Sequence, residues 1–393
     1  MESSYLLIVL SLSVLVSYGF DLFSSRSKIP SVVLLLMLGM IIRQVTAYLD
    51  IQIPFVDPTL STLGTIGLIL IVLEGGLDLE LQPGNYRLIQ QTGVMSLLSI
   101  TLTSLLIASA LYLLLEESFY KCLVNAVPFS VISSAVAIPS VKNLSYRQRE
   151  FVTYESSFSD IIGVMLLNFL LLSQTSVVSA SFVFLRDTVL MALLSLLCCF
   201  GLLYLISRIS HPVKFLPIIS VLFLVYAIAK IYHLSPLLLI LVFGLFLSNT
   251  ELFIRGRLND MLKNDLFEKE LDQLKNLTAE GAFVVRTFFF LLFGYAARID
   301  TLIDPDALIV SALFVGIILF VRFISLRLTF RGPIRPILWI APRGLITILL
   351  YQEIPPALRL TGFREGTLML VIVMAALVMM AGVIGYKGVY EEE

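Results

Sequence analysis

Tyr154-Glu155-Ser156-Ser157-Phe158-Ser159-Asp160-Ile161-Ile162-Gly163-Val164-Met165-Leu166-Leu167 places two carboxylates, five residues apart, inside an apolar segment long enough to cross a bilayer. An ionised carboxylate at membrane depth costs several kcal/mol by most estimates, so such groups persist mainly where they line an ion or proton path. The bland alternative is a structural carboxylate paired with a buried arginine. One arginine satisfies only one of the two well, and Asp160 is the better candidate for the working group.

Composition agrees with a membrane setting. The chain has 393 residues, 58% hydrophobic and 14% charged, with a mean hydropathy of +0.97. A soluble domain carries roughly a quarter charged residues, so this is a polytopic all-α membrane protein. Twenty-seven basic against 28 acidic residues give no electrostatic case for nucleic acid. Cys122, Cys198 and Cys199 lie within or beside apolar segments and lack metal-ligand spacing; they read as packing residues. No cleavable signal is expected, because the apolar run from Tyr5 to Phe23 lacks an n-region and a small-residue cleavage pattern.

A spanning helix needs about 20 mainly apolar residues. That window finds about thirteen spans, at roughly 4–23, 28–48, 60–79, 92–115, 119–141, 149–173, 182–208, 213–231, 234–249, 279–297, 306–327, 333–352 and 364–386. With the N-terminus outside, 17 basic residues fall on the cytoplasmic side and 7 on the other. The positive-inside rule therefore favours N-out, C-in. The one sizeable polar stretch, 250–278, mixes charges of both signs with leucines at helical spacing and reads as an amphipathic helix at the cytoplasmic face. The chain reads as a single membrane domain, with no further domain expected after the last span.

Several intramembrane features point to a path. Glu74 precedes Gly75-Gly76, a pair that permits close helix approach, so it reads as a helix-to-helix hydrogen bond or a conduit residue. The fifth span holds Pro139, which removes a backbone donor and frees a carbonyl. Gly332-Pro333 through Ala341-Pro342-Arg343-Gly344 interrupts the twelfth. If the seventh span is a linker, each interrupted span is the second-last of a set of six. That symmetry predicts inverted repeats whose broken helices meet at the midplane. Arg286, Arg322 and Arg343 are the basic residues expected inside spans, and buried cations need partners. A Glu155–Arg322 pair would neutralise one carboxylate and leave Asp160 to titrate.

At these residues the chain resembles the monovalent cation:proton antiporters, specifically bacterial and archaeal sodium/proton exchangers related to NHE-type exchangers. The likeness runs over nearly the whole chain. Lys28-Ile29-Pro30-Ser31 through Leu38-Gly39-Met40 and Leu73-Glu74-Gly75-Gly76-Leu77 look like the family's second and third spans. Glu155-Ser156-Ser157-Phe158-Ser159-Asp160 is similar to its Glu-Ser/Gly-x-x-Asn-Asp signature. Arg286-Thr287-Phe288-Phe289-Phe290, Arg322, and Pro342-Arg343-Gly344-Leu345 follow in the family's order.

The resemblance implies a homodimer in the cell (inner) membrane, with core-domain helices at about 92–173 and 306–386 and dimer or scaffold helices at about 1–79 and 182–297. It implies that Asp160 binds the proton or the cation (Na+, with K+ or Li+ as alternatives), with Ser159, Ser156 and the backbone at Ala137 as companions. It implies a structural Glu155–Arg322 pair and no cofactor beyond the transported ions. Two departures bear on ion choice. Ser159 stands where the family has Asn or Asp, and Ala137-Ile138-Pro139 stands for its Thr-Asp-Pro.

Two other classes fit the residues less well. An aspartyl intramembrane protease needs two aspartates in separate helices, and only Asp160 lies centrally in a span; a serine protease needs a histidine, yet His211 and His233 both fall at loops. A non-transporting sensor or channel on the same fold is the stronger rival, motivated by the lost carboxylate at position 138. It would leave a pH gradient intact when cation is added.

Overall fold

The computed structural model describes residues 2–27, 30–49, 56–79, 86–141, 144–173, 177–208, 215–231, 236–250, 265–297, 302–330, 332–360 and 365–384. Within them the chain is all helix and loop. The helices are α1 (Glu2–Ser27), α2 (Ser31–Tyr48), α3 (Val56–Asp78), α4 (Tyr86–Leu115), α5 (Phe119–Ser130), α6 (Ser134–Ser140), α7 (Tyr146–Leu172) and α8 (Val177–Arg208). They continue as α9 (Phe215–Ile231), α10 (Pro236–Ser248), α11 (Asp265–Ala296), α12 (Pro305–Thr329), α13 (Arg335–Leu338), α14 (Leu345–Glu353) and α15 (Glu365–Ile384). Taken in order, with α5/α6 and α13/α14 each counted as one interrupted span, they fall on the thirteen expected spans. Nine spans among the described residues are long and apolar enough to cross a membrane, and three shorter apolar helices join them.

Helix starts carry the expected chemistry. Asp304 caps α12 by accepting from the Asp306 amide, with Pro305 in the first turn, where its missing N–H costs nothing. Ser118 caps α5 in the same way through the Lys121 amide.

Three sequence expectations are corrected here. The fifth span does not unwind at Pro139, which lies within α6; it opens at Val131-Ile132-Ser133. A proline marks a missing donor, whereas the break sits where other groups supply partners for freed backbone. The polar stretch does not form a separate surface helix over its described part, because residues 265–278 are the opening turns of α11, which runs on to Ala296. Residues 251–264 lie outside the described residues. Finally, of Gly75 and Gly76 only the second makes a close approach; a Cβ on Gly75 would meet nothing.

The helices form two compact units: Met1–Gly67 with Arg87–Gly163 and Val284–Glu393, and Leu68–Tyr86 with Val164–Phe283. In the second unit, α8 and α9 pack on α10. Gly76 of α3 faces Gly244 of α10, where each Cβ would stand 3.0 Å from the other helix's backbone. Ser248 Oγ donates to the Leu77 carbonyl at 2.5 Å and Asn249 Nδ2 to that of Leu79 at 2.7 Å. Such hydrogen bonds hold helices together where lipid supplies no hydrophobic driving force.

In the first unit, α1 packs on α2, α12 on α15 and α5 on α14. Gly39 of α2 and Gly294 of α11 make a reciprocal contact: a Cβ on Gly39 would strike the Leu291 carbonyl, and one on Gly294 the Leu36 carbonyl. Arg43 closes the joint by donating Nη1 to the carbonyls of Ala296 and Ala297, both at 2.7 Å, so the open end of α11 is satisfied by a cation. We expect Gly294→Val to lower the detergent melting temperature, by overpacking worth about 1–3 kcal/mol. Gly316→Ala, whose Cβ would meet nothing within 4 Å, should melt like the parent. Equal melting for both variants would show that the α2–α11 approach is slack.

Candidate functional site

The two interrupted spans cross in the first unit. Between α5 and α6 the chain is extended at Val131-Ile132-Ser133, and before α14 it is non-helical from Ile340 to Gly344. The Ser133 amide donates to the Pro342 carbonyl at 3.0 Å, a backbone bond joining one break to the other. Gly344 is required at this point. A Cβ there would stand 2.7 Å from Ser133 Oγ and 3.2 Å from Val136 Cγ2.

Unwinding leaves carbonyls at the end of α5 without helical partners, a costly state at membrane depth. Arg343 takes them. Its Nε donates to Phe129 O at 2.6 Å, its Nη2 to Ser130 O at 3.3 Å and its Nη1 to Ala341 O at 2.9 Å, with the side chain 2% exposed. A guanidinium has five donors in a fixed fork and can serve several carbonyls at once.

Helix α7 passes beside the crossing. Gly163 allows it, since a Cβ there would strike the Val131 side chain. Ser159 Oγ accepts from the Ile132 amide at 2.9 Å, so its hydroxyl ties α7 to the unwound stretch. One residue on, Asp160 Oδ2 accepts from Ser134 Oγ at 2.5 Å. Its other oxygen, Oδ1, is buried and has no hydrogen-bond partner. Asp160 thus offers half of its carboxylate to a proton or a cation.

Glu155 is occupied differently. Its two oxygens accept from Arg322 Nη1 at 2.7 Å and Nη2 at 3.1 Å, and both residues are 1% exposed. Arg322 Nε donates to the Ile337 carbonyl at 2.9 Å, and Ser96 Oγ to the Glu155 carbonyl at 2.8 Å. The pair therefore binds α7, α12 and α13, while α4 reaches the same turn of α7.

Ser156 donates to the Thr153 carbonyl of its own helix at 3.2 Å. Ala137 lies inside α6, past the unwound stretch, with its amide on the Ser133 carbonyl at 2.9 Å. Glu74 is half-buried and belongs to the second unit. Arg286 is half-buried, not fully buried as expected, and reaches the Ala135 carbonyl at 3.4 Å. Among the described residues no group of three His, Cys, Asp or Glu could hold a metal ion. Sequence reasoning missed Ser134. The signal was available, because Ser130, Ser133 and Ser134 are hydroxyls clustered in an apolar span.

The sodium/hydrogen exchanger transmembrane model matches residues 10–385. The chain belongs to that family. The exchanger is a multi-pass membrane protein of a transporter family, not of an enzyme family. Its fold matches the structure, at pH 8, of the sodium proton antiporter MjNhaP1 from Methanocaldococcus jannaschii, with a TM-score of 0.71 at 17% identity, covering 98% of this chain and 96% of that one. An electron-microscopy structure of the same archaeal protein matches with a TM-score of 0.67 at 17% identity, over 98% and 95% of the two chains. No curated protein sequence matches the exchanger.

Removing one partner of a buried ion pair strands the other, at a cost of about 3–5 kcal/mol. Glu155→Ala and Arg322→Ala are therefore each expected to melt well below the parent in detergent. Replacing both by methionine should recover part of the loss, because no charge is then stranded. A parental melting curve for Glu155→Ala would show that the pair does not hold α7 to α12.

Proposed function

We propose that the exchanger is a secondary antiporter that swaps a monovalent cation, sodium, for protons by alternating access, with Asp160 as the shared site. The observation that carries this reading is the state of the two carboxylates on α7. Glu155 is neutralised by Arg322, while Asp160 keeps one buried oxygen without a hydrogen bond beside the crossing. A proton or a cation can compensate that charge, and one carboxylate cannot accommodate both in a low-dielectric setting. Competition for one group is the coupling: the site crosses loaded with one ion or the other.

Ser134 is the hydroxyl that orients Asp160 in this reading, and it adds an oxygen ligand near the carboxylate. Ser159 Oγ accepts from the Ile132 amide and keeps a second lone pair, so it ties α7 to the unwound stretch and remains a companion ligand to Asp160. Sodium is supported by the family, with potassium and lithium as the alternatives to be separated by experiment. The exchanger works as a homodimer in the cell membrane, N-terminus outside and C-terminus cytoplasmic. The distribution of basic residues supports that orientation.

Asp160→Asn tests the assignment most directly. The amide keeps the volume but can neither release a proton nor balance a cation. Vesicles holding the parent should dequench a pH dye on addition of sodium, and vesicles holding Asp160→Asn should not, with melting unchanged. Sodium-driven proton flux of parental size in the variant would remove Asp160 from the mechanism. Absence of flux from the parent with sodium, potassium and lithium would favour a non-transporting sensor.

Stoichiometry follows from the single available charge. One proton leaves for each monovalent cation, so exchange is electroneutral and a potassium/valinomycin potential should not change its rate. Low pH keeps Asp160 protonated and excludes the cation, while high pH starves the exchanger of internal protons. The profile of rate against pH should be bell-shaped, with cation affinity rising as pH rises. A rate that climbs steeply with voltage would require a second titrating group, with Glu74 the first to replace.

A further inference from the structure

Beyond the buried Arg322 and Arg343, the half-buried Arg286 and the exposed Arg87 of α4, the described basic residues of the first unit fall into two groups. Arg43, Lys121 and Arg359 are held by the protein: Arg43 by the carbonyls closing α11, Lys121 by Glu117 at 3.0 Å, and Arg359 by the Ile354 and Gln352 carbonyls, both at 2.9 Å. Arg147, Arg149, Arg327 and Arg335 are exposed, and none has a carboxylate within ion-pair distance among the described residues. All four lie at one end of the unit. Arg147 and Arg149 are in the first turn of α7, Arg327 in the last turn of α12, and Arg335 opens α13. The rings of Phe151 and Phe330, 4.6 Å apart, pin the α7 and α12 ends together.

Aromatic rings are interleaved with these cations. The Arg149 guanidinium lies 5.6 Å from the centre of the Tyr146 ring and that of Arg327 5.4 Å from the Phe323 ring. Tyr146 and Phe323 are themselves exposed, as is Leu328 beside Arg327. Trp339, the single tryptophan of the chain, follows α13 and is 37% exposed. Glu150, the acid on the opening turns of α7, is half-buried and makes no ion pair among the described residues. Exposed aromatics with apolar neighbours belong at the level of lipid headgroups. Four unpaired guanidinium groups at that level require anions, and phosphodiesters match their forked donors.

We propose that this end of the first unit is a binding surface for anionic phospholipid headgroups. It goes beyond the exchange reaction and does not depend on it. The surface includes the start of α13, whose Ile337 carbonyl is held by Arg322. A headgroup on Arg335 therefore anchors the first piece of the second interrupted span from outside, where Arg322 holds it from within.

Trp339 serves as a built-in reporter. The full-length exchanger is placed in vesicles of phosphatidylcholine and phosphatidylglycerol, in which either one or the other lipid carries bromine, and tryptophan quenching is read. Brominated phosphatidylglycerol should have a relative binding constant at Trp339 about fivefold or more above that of phosphatidylcholine, the effect of one basic residue at an anionic surface. The preference should shrink at about 1 M salt, where the screening length falls to about 3 Å. Replacing Arg147, Arg149, Arg327 and Arg335 by glutamine should bring the ratio to unity, and replacing the same four by lysine, which keeps the charge but not the fork, should lower it while leaving it above unity. If the quadruple variant does not fold, the pairs Arg147→Gln/Arg149→Gln and Arg327→Gln/Arg335→Gln are read separately, and each should lower the ratio. Equal quenching by the two lipids in the parent, or a preference unchanged in the glutamine variants, would overturn the proposal.

Discussion

Everything at the centre of this protein depends on satisfying the backbone where two helices unwind inside a membrane. An unpaired amide or carbonyl in hydrocarbon costs several kcal/mol, and no water is there to relieve it. The crossing meets that demand with three kinds of partner. Arg343 serves the carbonyls that end α5, the Ser159 hydroxyl serves the Ile132 amide, and the Pro342 carbonyl serves the Ser133 amide. The partners come from α7 and from the opposite interruption, so neither break is satisfied by its own helix alone.

The same requirement explains why carboxylates tolerate this location. Glu155 is fixed by a two-pronged arginine and contributes a tie between helices. Asp160 is oriented by Ser134, with its Oδ1 left without a hydrogen bond. Two identical functional groups five residues apart thus have different partners, and the proposed exchange uses both. A site that is compensated in every state cannot distinguish loaded from empty, and a framework with a stranded charge cannot stay folded.

Much of this was legible in the residues. Thirteen apolar runs of spanning length, the two interrupted spans and the pairing of Glu155 with Arg322 were all open to argument from spacing and from the cost of buried charge. Other features were not. Val131-Ile132-Ser133 contains no glycine or proline, so nothing local marks it as the break; Pro139, which looked like the break, lies within α6. Ser134 reads as one serine among several until the fold sets it against Asp160. Ser159 reads from its place before Asp160 as an ion companion, and only the fold shows that its hydroxyl also accepts from the Ile132 amide of the unwound stretch.

The sequence alone determined what the bilayer imposes one segment at a time. Length and apolarity decide which runs can span, and the rarity of charge makes each intramembrane carboxylate or arginine worth explaining. Which residues those charges would meet was decided only by tertiary structure. Hydrogen bonds act over about 3 Å, and the groups that meet at the crossing, such as Phe129 with Arg343 or Ile132 with Ser159, are 214 and 27 residues apart in the chain. Only the packing of α7 and of both interruptions around one point selects which serine orients Asp160, which hydroxyl holds the backbone and which arginine fills the end of α5.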